Sequence, residues 1–209
     1  MVEIVRSLSL AYVPIRKVGT TSIRKAFRAL ARGADDHVAT YDRPMSAYVR
    51  LRARGCRTLV VVRDPVERFL SAYANRIHHH DDISASRTHR AIARVLGLPE
   101  QPDIEEFCTR FGLYTLSNDK LRRHFRPQAA YLGADLGWFD HVYRLAETDR
   151  LAADLSDWSG QEVRFERLQT GGPKLRFGDV PAATQRRILQ ITAPDYRLLS
   201  GYFEPPDIG

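Results

Sequence analysis

The sequence predicts an α/β fold, three layers with helices on both faces of a central parallel sheet. Two observations carry that prediction. Thr58-Leu-Val-Val-Val62 is apolar or β-branched at every position, as a strand covered on both faces must be. Helix-type apolar periodicities alternate with such runs along the chain, and strands joined by crossover helices lie parallel. A chain of 209 residues supports one substantial core, so residues 1–209 are expected to form a single domain.

Taken in order, Leu8, Leu10, Tyr12 and Val13 predict a first strand, and Pro14 ends it because proline brings no N–H to a ladder. Gly19 permits a positive φ, and Thr20, Thr21 and Ser22 offer hydroxyls to cap a helix from Thr21 to Ala31. Ile23, Ala26, Phe27 and Leu30 give that helix its apolar face. His37 to Tyr41 reads as a second strand. Pro44 then opens a helix bearing Met45, Tyr48, Val49 and Leu51, with Arg50, Arg52 and Arg54 near its negative end and Gly55 closing it.

After the strand Thr58–Val62, Asp64 is a good N-cap and Pro65 a good first helical residue. Val66, Phe69, Leu70, Tyr73 and Ile77 place an inward face on a helix running to about Arg76. Residues 78–88 read as a polar loop, in which His78-His79-His80 and Asp81-Asp82 make a solvated segment rather than a metal site. Helical patterns occupy 89–97 and 103–111. A loop follows at 124–128, then a strand at 141–145, a helix from Thr148 to Trp158, a loop over 169–180, a helix over 182–192 and a terminal turn from Tyr196 to Tyr202.

The net charge of +7 and pI near 9.7 come mostly from arginine, whose planar fork suits phosphate, sulfate and carboxylate. The basic residues are scattered along the chain, whereas a nucleic-acid module clusters them on one helix or interleaves them with aromatics. Cys56 and Cys108 match no metal spacing and read as two reduced thiols. No apolar run reaches about 18 residues, so no membrane span is expected. With no secretory start visible, the expected location is the cytoplasm.

The chemistry concentrates in two strand-to-helix turns, Lys17-Val-Gly-Thr-Thr-Ser22 and Arg63-Asp-Pro-Val-Glu-Arg68. In a parallel sheet both fall on the edge where open α/β folds bind ligands. A helix N-terminus presents free N–H groups and a positive dipole end to an anion, and Lys17 adds a mobile charge in front of it. Arg63 and Ser71, the latter about two turns into its helix, offer a second tetrahedral anion a fork and a hydroxyl. Two anion sites on one edge suit a ligand with phosphates at two positions.

These segments resemble a known family. Lys17–Ser22 is similar to the 5′-phosphosulfate loop of sulfotransferases that use 3′-phosphoadenosine 5′-phosphosulfate (PAPS), and Val61–Tyr73 to their 3′-phosphate motif. His124-Phe-Arg-Pro-Gln128 and the strand ending in Glu147 resemble elements of the carbohydrate sulfotransferase branch, sulfotransferase family 2. The resemblance implies a P-loop-like core and transfer of a sulfuryl group from PAPS to a hydroxyl of a carbohydrate or glycoconjugate. Adenosine 3′,5′-bisphosphate (PAP) would be the product, and no metal would be required. It further implies that Arg16, Lys17, Gly19, Thr20, Thr21 and Ser22 hold the 5′-phosphosulfate, with Lys17 stabilising the leaving group, and that Arg63 and Ser71 bind the 3′-phosphate. Arg16 stands where many members carry proline. For the general base, His37 comes first, His124 second and Glu147 third.

Two other functions remain to be weighed. A P-loop kinase would place its lysine after the second glycine of Gly-x-x-x-x-Gly-Lys, whereas Lys17 precedes Gly19, and no strand-end aspartate stands ready for Mg²⁺. A nucleic-acid-binding module is disfavoured by the scattered arginines.

Overall fold

Among the described residues five strands form one sheet in the order β3-β1-β2-β4-β5: β1 (Val2–Val5), β2 (Leu10–Val13), β3 (His37–Thr40), β4 (Arg57–Val62) and β5 (His141–Arg144). The computed structural model describes residues 1–40, 47–84, 87–166 and 175–209. The expected parallel arrangement holds for β2, β4 and β5. The strand β1 was not foreseen. It lies antiparallel between β2 and β3, with Glu3 opposite both Tyr12 and Ala39.

The chain divides into two compact units, Met1–Arg63 with Gln128–Gln169, and Asp64–Pro127 with Thr170–Gly209. The first holds the whole sheet. It also holds the helices α1 (Thr20–Ala29) and α2 (Ala47–Arg52), together with two introduced below. On α1, Ile23 and Phe27 are buried as their spacing predicts, and Phe27 meets the ring of the buried Tyr12. The expected helix opening at Pro44 and Met45, and the end of the strand at Tyr41, lie outside the described residues.

The second unit is helical. It begins with α3 (Pro65–Tyr73), where the Asp64 carboxylate accepts from the Glu67 N–H at 2.9 Å and Pro65 is the first residue, as the sequence indicates. Val66, Phe69, Leu70, Tyr73 and Ile77 are all buried. Past Tyr73 the backbone widens into a π-type turn over Ala74–His79, so helical structure continues into what reads as loop. Beyond it come α4 (Arg87–Val95), α5 (Ile104–Thr109), α6 (Phe111–Ser117) and α7 (Asp119–Phe125). The last two were not anticipated. Asn118 caps α7 by accepting from the Lys120 and Leu121 N–H groups. Phe69, Phe107, Phe111, Tyr114 and Phe125 pack as one aromatic core, with ring centroids 4.9–6.3 Å apart.

Back in the first unit, α8 (Ala129–Leu132) and α9 (Thr148–Ser159) flank β5 in sequence. The second unit ends with α10 (Ala182–Leu198), longer than the expected 182–192. It passes through Pro194, and Tyr196, Leu198 and their neighbours are helix rather than the start of a terminal turn. The Thr192 hydroxyl donates to the Ile188 carbonyl at 2.8 Å, just before the turn where proline removes a backbone donor.

Candidate functional site

At the end of β2, Pro14 and Ile15 are buried, Arg16 is exposed and Lys17 is half-buried. Lys17 has φ +68 and Gly19 has φ +75, so the chain takes two left-handed steps before α1 begins. For lysine that region is sparsely populated, and such strain collects at ligand-binding turns. Gly19 itself is the N-cap. The positive φ favours glycine, and a Cβ there would stand 3.0 Å from the end of the Leu145 side chain, which would have to give way.

The expected hydroxyl capping is not what the structure shows. No side chain caps α1, and the Thr20 hydroxyl instead donates back to the Ile15 carbonyl, closing the loop on itself. The first-turn N–H groups are thus left without a side-chain acceptor, at the positive end of the helix dipole. Thr21 is exposed and Ser22 half-buried in that first turn.

The strand β4 runs parallel beside β2, with Val13 level with Val60, so Arg63 emerges on the same sheet edge as the Lys17–Ser22 loop. The Arg63 guanidinium donates to the Lys17 carbonyl at 3.4 Å, tying the two turns together. Arg63's backbone is held from the other side by Gln128, which is fully buried. Gln128 Oε1 accepts from the Arg63 N–H at 3.0 Å, and its Nε2 donates to the Arg63 carbonyl at 2.8 Å. One carboxamide therefore pairs both backbone groups of one residue, as a neighbouring strand would.

In the second unit, Ser71 is the half-buried position among the otherwise buried residues 68–75 of α3 and the π-type turn. Arg68 is buried. It lies 3.7 Å from Asp195 of α10 and donates to the carbonyls of His124 at 3.4 Å and Arg126 at 2.8 Å. Asp64 accepts from the Tyr196 hydroxyl at 2.9 Å, and burial pushes its carboxyl above the ordinary range.

The three histidine and glutamate candidates sit in different places. His37 opens β3 opposite Val5, which in turn faces Leu10 at the start of β2. The register therefore puts His37 about 10 Å along the sheet from the β2 end that carries the Lys17 loop, at about 3.3 Å per residue. Its Nε2 is 3.5 Å from Glu3 Oε2, so the structure joins it to a buried carboxylate rather than to Lys17. His124 lies in the last turn of α7, not in a loop, and is half-buried. Glu147 caps its own turn. The Arg144 N–H donates to it at 2.7 Å, the chief cause of its lowered pKa, and this fits a structural anion better than a base.

Among the described residues no group of three or more His, Cys, Asp or Glu side chains converges as metal ligands would, and no helix is long and apolar enough to cross a membrane. Asp82, within the segment read as solvated loop, is buried against Arg76 and lies 3.5 Å from Lys120.

The model of the sulfotransferase family (family 2) matches residues 4–202. The chain belongs to the sulfotransferase family. No curated protein matches it, and no solved structure does. The matched span of this sulfotransferase takes in all four sequence elements that suggested the family: the Lys17 loop, the Arg63 turn, the His124–Gln128 segment and the strand ending in Glu147. The match takes in Gln128, which lies outside the expected donor set, and begins one residue after Glu3. Gln128 could have been found from its place at the end of the His124–Gln128 element. Glu3 left no such signal, because its partners lie 21 to 34 residues away.

Proposed function

We propose that this sulfotransferase moves the sulfuryl group of PAPS to a hydroxyl of a carbohydrate or glycoconjugate, releasing PAP. The observation that carries the reading is the juxtaposition of the Lys17–Ser22 loop and Arg63 on one edge of the parallel strands β2 and β4. It supports one anion at the uncapped start of α1 and a second at Arg63. In this reading Arg16, Lys17, Gly19, Thr20, Thr21 and Ser22 hold the 5′-phosphosulfate, and Arg63 with Ser71 binds the 3′-phosphate. Residues 1–209 then act as one catalytic domain with a P-loop-like core.

The acceptor oxygen attacks sulfur in line as the bond to the bridging oxygen breaks, and charge builds on the departing 5′-phosphate. The Lys17 ammonium stabilises that charge. The acceptor's proton passes to a general base, for which we assign His124 over His37. Supporting that choice are the engagement of His37 with Glu3 and its place at the start of β3. The sugar acceptor rests on the likeness of His124–Gln128 to the carbohydrate branch. No metal enters the reaction.

Calorimetric titration with PAP, 5′-AMP and metal-free ATP tests the reading. PAP is expected to bind in the micromolar range, about a hundredfold tighter than 5′-AMP, with that preference lost in Arg63→Ala. Equal affinity for PAP and 5′-AMP in the native protein would sink it.

A further inference from the structure

Glu3 is a carboxylate with no exposure, on a strand bonded along both edges. Burying an unpaired charge is prohibitively costly, so its partners matter. Oε1 accepts from Arg24 Nε at 2.5 Å and from Arg28 Nη2 at 2.9 Å. Both arginines stand on α1, one turn apart and adjacent to the inward-facing Ile23 and Phe27. Oε2 makes no hydrogen bond among the described residues and faces His37 Nε2 at 3.5 Å.

Apolar contacts set how far α1 lies from the sheet, but they resist sliding along the helix axis only weakly. Charge-assisted bonds are directional and fix that coordinate. Two of them, from consecutive turns to one immobile oxygen, hold α1 in axial position and rotation. The first turn of the same helix is the uncapped one, Thr20–Ser22, only one turn before Arg24. Its N–H groups move as a body with the arginines.

We infer that Glu3 is a positioning residue for the 5′-phosphate end of the donor nucleotide, acting through Arg24, Arg28 and the axial placement of α1. The inference rests on the donor reading above. The 3′-phosphate residues Arg63 and Ser71 lie outside α1, so Glu3 affects one end of the nucleotide and not the other.

The test compares 5′-AMP with 3′-AMP by calorimetry in the native protein, in Glu3→Gln and in Arg28→Gln, with thermal unfolding confirming that each sample is folded at the titration temperature. Glu3→Gln is expected to weaken 5′-AMP about tenfold and 3′-AMP less than about twofold. Arg28→Gln removes a side chain that is 45% exposed and folds more readily; it is expected to weaken 5′-AMP about threefold with 3′-AMP unchanged. Equal losses for both nucleotides, or none in either variant, overturn the inference while leaving the donor reading in place. A native protein that binds neither nucleotide overturns both.

Discussion

Replacing Gln128 by alanine removes two hydrogen bonds from a fully buried carboxamide, at 3.0 and 2.8 Å, and strands both backbone groups of Arg63. An unsatisfied buried group costs about 1–3 kcal/mol, and the two are coupled through one residue, so the expected loss is about 3 kcal/mol. For a chain of this length that corresponds to a fall in Tm of about 6–12 °C. The same change frees the residue assigned to the 3′-phosphate, so PAP affinity is expected to drop about tenfold. Denaturant unfolding and PAP calorimetry on Gln128→Ala and Gln128→Met separate the causes. Methionine refills the volume but cannot bond Arg63. If Gln128→Met regains native stability and PAP affinity, packing alone explains the site and the two-point pairing is not what holds Arg63.

Other predictions follow from neighbouring features. Gly19→Ala must hold alanine at φ +75 with its Cβ 3.0 Å from Leu145, a strain of about 1–2 kcal/mol, and calorimetry is expected to show PAP binding weakened at least about tenfold. Arg68→Met removes the buried ion pair with Asp195 and the hydrogen bonds to the His124 and Arg126 carbonyls; denaturant unfolding is expected to show a loss of about 3–5 kcal/mol. Asp36 accepts from the Ser7 hydroxyl, the Arg32 N–H and the Ser7 N–H, which hold its carboxyl down to about 2. A carboxylate whose folded pKa is depressed stabilises the fold above its unfolded value and loses that contribution as pH falls through the folded one. Native protein should therefore exceed Asp36→Asn in stability at pH 5, and the two should converge toward pH 2; a constant gap across that window would count against the assignment.

The two turns of the candidate site were legible because their signals are local. Asp64-Pro65 announces a helix start within two residues, and Gly19 follows a strand stopped by Pro14. What escaped notice depends on distant partners. Val2-Glu3-Ile4-Val5 does not read as a buried strand because a charge sits in it, and only the fold brings Arg24, Arg28 and His37 to that charge. With the antiparallel β1 between β2 and β3, register rather than sequence order decides which end of the sheet His37 reaches. The expected last helix stops at 192, but the packing of α10, with Ile188, Thr192, Asp195 and Tyr196 buried along it, carries it through Pro194 to Leu198. The short helices α6 and α7 were passed over although Asn118-Asp119 carried a cap signal.

The order of the strands along the chain sets a schedule for assembly. The pairings of β1, β2 and β3 involve residues within the first 40, so they can form early and close short loops. The last strand of that sheet arrives at residue 141, after the chain has laid down Asp64–Pro127 as part of the other unit. Until then β4 offers an unpaired edge of consecutive valines, Val60–Val62, to whatever strand is nearest. During synthesis this sheet therefore waits, half-finished and adhesive, on a helical insert that must be made before it can close.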